Sequence, residues 1–147
     1  MTRIEFFFNV EHKLHKIADF SEKAIAKGRR LMILSENTDS TVAIEKFLWT
    51  YSALSFLPNC RADHPLAMDT PVVIDHRAMN EHNTELLHDD ILINMQVNQP
   101  PFFSRFRRLI EIVGIDEDDK AQARLRFKFY RDRGYEIRTF DASGVAL

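Results

Sequence analysis

Lys120, Arg124, Phe127, Lys128 and Arg131 recur at spacings of three and four, which on a helix places them on one face. Ammonium and guanidinium groups set around a phenyl ring suit an acidic partner that also carries an apolar anchor. The cations take its carboxylates and the ring takes its apolar group. These residues sit in a basic and aromatic last third, which also holds Pro101-Phe102-Phe103-Ser104-Arg105-Phe106-Arg107-Arg108 and Arg126, Arg133 and Arg138. About half of the chain's 20 basic residues lie there, interleaved with six of its 12 phenylalanines. A solvated helix face is often basic too, so the pattern alone leaves both readings open.

Other chemistries find less support. The turn after the first predicted strand, Asn9-Val10-Glu11-His12, has no glycine and carries a carboxylate where a pyrophosphate would sit. Ser35-Glu36-Asn37-Thr38, after the second, is glycine-free as well, and the whole chain has only four glycines. Nucleotide binding of the usual kind is therefore not expected. His12 and His15 could share a helical face and His76, His82 and His88 lie near one another in sequence, but none follows a zinc spacing. Asp63-His64 has no serine in a strained elbow to activate. No metal, cofactor or catalytic centre is expected. Trp49 and Phe56 read either as core or as an exposed aromatic patch that anchors a protein interface.

The elements that position these residues follow from periodicity. Ile4 to Val10 reads as a buried strand and His12 to Ile25 as a helix ended by Gly28. Arg30 to Leu34 is a second strand, followed by a helix capped by Thr38 to Ser40 and running through Leu48. Ser55 to Leu66, with two prolines, reads as an irregular connection. Pro71 to Ile74 and Asp90 to Met95 are further strands, with Asp75 to Asp89 a polar surface loop between them. Phe103, Phe106, Leu109, Ile110 and Val113 predict a helix opened by Pro101. Asp116 to Asp119 start the last helix, which runs to Arg133 and is capped by Gly134, and Tyr135 to Phe140 is a final strand. The expected fold is α/β: a Rossmann-like, mostly parallel sheet flanked by helices in three layers, without a nucleotide-binding glycine loop.

At 147 residues the chain is expected to form a single domain, residues 1–147, with a substantial core. A 45% hydrophobic and 29% charged composition argues against disorder, and a net charge of −2 argues against bulk attraction to nucleic acid. Any anion site is therefore local, and acidic residues at Glu111 and Asp116 to Asp119 precede the basic stripe. The lone Cys60 permits no internal disulfide and fits a reducing compartment. No apolar run approaches the roughly 20 residues that span a bilayer, so a cytoplasmic protein is expected.

One ordered set of residues is more specific. Phe47-Leu48-Trp49, Ser55-Phe56-Leu57-Pro58, Pro71-Val72, Asp90-Ile91-Leu92-Ile93-Asn94, Arg124 to Tyr130 and Arg131-Asp132-Arg133-Gly134-Tyr135 together resemble the chi subunit of the bacterial DNA polymerase III holoenzyme. The resemblance covers essentially the full chain. It implies a non-catalytic accessory subunit that joins the psi subunit, and through it the clamp loader. It also implies a grip on the acidic C-terminal tail of the single-stranded DNA-binding protein, a run of aspartates ending in Pro-Phe with a free carboxylate. On this resemblance Lys120, Arg124, Phe127 and Lys128 match the tail-binding residues, while Trp49 and Phe56 match the aromatics that face psi. Arg124 would take the terminal carboxylate through paired donors. Arg131 would add attraction, and Ile115 or Val113 would help Phe127 wall a pocket for the terminal ring. Phe127 stands where the family has a tyrosine, so no hydroxyl is available there. Asp116 to Asp119 place negative charge beside the site. The rival reading is direct single-stranded nucleic-acid binding, with bases stacked on Phe127 or Tyr130. A degenerate nucleotide enzyme is a third, which the glycine-free turns disfavour.

Overall fold

The computed structural model describes residues 1–51, 57–76 and 88–147. Its strands are β1 (Arg3–Val10), β2 (Leu31–Leu34), β3 (Asn59–Arg61), β4 (Val72–Asp75), β5 (Ile91–Asn94), β6 (Arg108–Gly114) and β7 (Ile137–Phe140). The helices are α1 (Lys13–Ala26), α2 (Thr38–Thr50) and α3 (Glu117–Asp132). The strands form one seven-stranded sheet in the order β3-β4-β2-β5-β6-β1-β7. Every adjacent pair is parallel, which makes the sheet more uniform than the sequence suggests.

A parallel sheet covered on both faces needs strands that are apolar on both sides, and these strands are. In β2, Leu31 and Ile33 join one core while Met32 and Leu34 join the other. In β1, Ile4 and Phe6 face α3, whereas Phe7 points toward α1. α1 and α2 cover the first face through Ile17, Ala18, Phe20, Ile44 and Leu48, and α3 covers the second through Ala123 and Tyr130. This gives the expected three layers.

Three local expectations are corrected. The helix predicted from Pro101 to Val113 is a short 3₁₀ turn, Phe103–Arg105, followed by the strand β6. The spacing of Phe103, Phe106, Leu109 and Val113 imitates a helix, but Leu109 to Val113 is a continuous run buried on both faces between β5 and β1. Such a run suits a central strand, and periodicity alone does not separate it from a buried helix. The irregular connection contains the edge strand β3, paired to β4 through Cys60↔Val73. The cap of α2 is Asn37, whose side chain accepts the Ser40 N–H at 2.8 Å, and not Thr38 to Ser40. Most of the predicted polar loop, residues 77–87, lies outside the described residues.

The chain ends against the outer edge of β7. Ala146 forms an antiparallel bridge to Phe140, and the Leu147 N–H donates to the Thr139 carbonyl at 3.0 Å. The Asp141 carboxylate holds this turn by accepting from the backbone N–H groups of Ser143 and Val145.

His88 couples the fold to pH. Its ring packs edge-on to Phe106, and Nδ1 accepts the Asp90 N–H at 3.2 Å. Burial, reinforced by the Arg30 cation, lowers its pKa from 6.5 to about 4. The neutral ring therefore stabilises the fold fully above the unfolded pKa, and this contribution is lost as pH falls toward the folded value. Urea unfolding is expected to show falling stability between pH 6.5 and about 4, with His88 contributing no more than ~1.4 kcal/mol per pH unit. His88→Gln should flatten this part of the profile; an unchanged slope would assign it to other groups.

Candidate functional site

The basic stripe is carried by α3, whose start and end are both fixed by local chemistry. Glu117, Asp118 and Asp119 occupy the first turn, where carboxylates complement the positive helix end. The Asp119 carboxylate also accepts the Gly114 N–H at 2.6 Å and pairs with Lys13 at 2.7 Å. Burial pulls the Asp119 carboxyl upward, but the Lys13 and Gly114 hydrogen bonds outweigh it and hold the pKa below its ordinary value. A β-carbon at Gly114 would lie 3.1 Å from the Asp119 carboxylate, so the close approach favours glycine. After the helix, Gly134 takes φ +81°, a conformation that a side chain would strain.

The inward face of α3 holds a polar network that the sequence reading did not pick out. Arg126 is buried, and its Nε lies 3.1 Å from Glu111, which is fully buried on β6. The Tyr130 hydroxyl donates to Glu111 at 2.7 Å, and Asn94 Nδ2 on β5 donates at 3.1 Å. Arg126 Nη1 donates to the Val97 carbonyl at 2.9 Å. Burial raises the Glu111 pKa, an effect that Arg126, Tyr130 and Asn94 oppose. The network ties the helix to the sheet and fixes which of its faces points outward. Its signal in the sequence was the presence of Asn94 and Glu111 inside apolar strand runs.

The outward face carries the residues of interest. Arg124, Lys128 and Arg131 are exposed and Lys120 is half-buried. Arg131 lies 3.5 Å from Asp132, whereas Lys120, Arg124 and Lys128 have no ion pair among the described residues. Phe127 is half-buried beside this face, with its ring 5.2 Å from that of Phe6. α3 thus carries four cations along one stripe with a half-buried aromatic. Tyr130, by contrast, is fully buried and cannot stack on a base. Val113 is likewise sealed in the core and cannot wall a surface pocket.

Ile115 is 58% exposed, but it belongs to a different depression. It lines a crevice of about 460 Å³ at the carboxyl ends of β1 and β6, together with Val97, Gln122, Glu11, Asp116 and Asp118. α1 and α3 leave these adjacent strands toward opposite faces, and open α/β sheets commonly place ligands in such a crevice. Here Lys13 and Asp119 bridge it and carboxylates surround it, which is unfavourable for phosphate.

Trp49, near the end of α2, is 53% exposed, which favours a surface aromatic over a core one. Phe56 lies outside the described residues. His12 and His15 do share a face of α1, with ring centroids 5.7 Å apart, and His15 packs edge-on to Phe47.

With this geometry in hand, the comparison with known proteins is direct. Residues 1–138 match the family described as DNA polymerase III chi subunit, HolC. The chain belongs to this family. Curated relatives named DNA polymerase III subunit chi include one from Pseudomonas aeruginosa, 24% identical over 141 residues, covering 93% of this chain and 94% of the relative. A Haemophilus influenzae relative of the same name is 30% identical over 112 residues, covering 76% and 75% of the two chains. One from Escherichia coli is 24% identical over 123 residues, covering 84% and 81%. The chain is therefore a chi-family replication subunit with an α/β fold. No helix among its described residues is long and apolar enough to cross a membrane.

The two roles of arginine on α3 are separable by stability. Arg126→Ala leaves Glu111 buried without its cation and is expected to cost about 3–5 kcal/mol in urea unfolding. Arg124→Ala, at an exposed position, should stay within about 0.5 kcal/mol. Similar losses for both would contradict the division between the inward and outward faces.

Proposed function

We propose that this chi-family protein is a non-catalytic cytoplasmic adaptor, which links the clamp loader, through psi, to the acidic tail of the single-stranded DNA-binding protein. The observation that carries the reading is the set of cations without ion pairs among the described residues, Lys120, Arg124 and Lys128, displayed beside the half-buried Phe127. Arg124 takes the terminal carboxylate through two parallel N–H donors, and Phe127 offers its ring to the terminal phenyl group. Lys120, Lys128 and Arg131 attract the aspartates, so binding weakens as salt is added. Asp116 and Asp118, at the helix start, direct the acidic part of the tail away from that end. Ile115 contributes only if the tail reaches across to the neighbouring crevice. The psi contact is assigned to exposed Trp49, with Phe56 as its companion on the basis of family resemblance.

A labelled peptide of aspartates ending in Asp-Ile-Pro-Phe, followed by fluorescence anisotropy, tests the tail site. Saturable binding is expected, lost on amidation of the C-terminus and weakened about 1.5–3 kcal/mol by Arg124→Ala. Binding indifferent to amidation would remove the carboxylate contact, and stronger binding to bare single-stranded DNA would favour the nucleic-acid reading of the stripe. Trp49→Ala is expected to impair psi binding measured by calorimetry while sparing the peptide. Equal loss of both would place Trp49 in a structural role.

A further inference from the structure

The opposite face of the sheet carries a second cationic site, independent of the α3 stripe. A groove of about 620 Å³ opens at the amino-terminal ends of the strands, between them and the last turns of α1. Arg3, Arg107 and Arg108 reach it from the starts of β1 and β6, and Arg29 from the turn before β2. Lys16, Lys23 and Lys27 reach it from α1, where their spacing sets them along one side. Against these seven cations the groove holds two carboxylates, Glu5 and Asp90, in a chain whose net charge is −2.

Those carboxylates are already engaged. Glu5 pairs with Arg3 and Arg108, and Asp90 lies 3.9 Å from Arg29. Lys23, Lys27 and Arg107 have no ion pair among the described residues and are exposed. Lys16 is the unusual member. It is 91% buried, with its ammonium about 5.1 Å from the Phe7 ring centre and 2.9 Å from the Ala142 carbonyl. Burial, then the nearby Lys23 cation, lowers its pKa against the opposing pull of Asp19 and Asp141. Lys16 and Lys23 thus stand together in the lining of the concave site, where an incoming anion is favoured.

The floor is apolar, made by Phe7, Phe20 and Phe140 with Leu31 and Ile110. Phe140 is half-buried and stacks on Phe7 at 4.8 Å. Lysines near a helix C-terminus also complement its dipole, which accounts in part for Lys23 and Lys27. It does not account for Arg107, which has no ion pair among the described residues and stands in the lining with Arg3 and Arg108, and guanidinium groups match phosphate oxygens in paired geometry. The volume lies in the range of small-molecule sites.

We propose that this groove binds a phosphate-ester anion of nucleotide size, supplied either by a free nucleotide or by a nucleic-acid strand. Three probes distinguish the sources by calorimetry at low salt: inorganic triphosphate, thymidine triphosphate and a short oligothymidylate. Saturable binding of at least one is expected, weakened tenfold or more by the exposed pair Lys23→Glu and Lys27→Glu. The milder Lys23→Gln and Lys27→Gln pair should weaken it at least threefold, should charge reversal impair folding. Tighter binding of the oligonucleotide identifies a strand, and tighter binding of thymidine triphosphate identifies a free nucleotide. Arg124→Ala should leave this binding unchanged, and the Asp-Ile-Pro-Phe peptide should not displace the probe, which keeps the result separate from that for the α3 stripe. Absence of saturable binding by all three probes, or binding that survives both lysine variants, would overturn the proposal.

Discussion

The attachment of α3 to the sheet depends on a buried ion pair. Glu111 lies on a central strand and would be costly to bury alone, and Arg126 lies on a helix that would otherwise expose it. Tyr130 and Asn94 satisfy further capacity of the same carboxylate, so the cluster is internally complete and not a lone charge pair. Because a buried guanidinium requires a particular partner, the network selects one rotation of α3 about its axis. The packing of Ala123, Phe127, Phe129 and Tyr130 against the second core favours the same rotation. The exposed cations inherit their direction from this choice.

The same sheet opens a crevice whose lining is rich in carboxylates. Its strand order creates a crevice at the carboxyl ends of β1 and β6, where the turn after β1 and the start of α3 set Glu11, Asp116, Asp118 and Asp119 beside Gly114. Lys13 spends its charge on Asp119 and thereby links the starts of two helices on opposite faces.

Much of this was legible in the sequence because the strands are short, apolar and bounded by polar turns. β1, β2, β4 and β5 were each anticipated within a residue or two, and the stripe on α3 followed from its spacing. β6 was misread because Phe103 and Phe106, which fill the core from a 3₁₀ turn, extend the apolar spacing of a strand into something resembling a helix. β3 was missed because Asn59-Cys60-Arg61 is only half-buried and lacks any apolar signature. The sequence reading noted Arg126 only as one of the basic residues of the last third, because its partner lies fifteen residues earlier on another element. Pairings of that kind are set by tertiary geometry and leave no local periodicity.

The two borders of the sheet have a consequence for how this protein can assemble. One border is the three-residue β3, whose Arg61 is tied to Glu45 at 2.8 Å. The other is β7, partly capped by the returning C-terminal residues Ala146 and Leu147. Short or occupied edges offer poor templates for backbone-to-backbone addition. Addition of a further strand, from a second copy or from another protein, is therefore disfavoured at both borders.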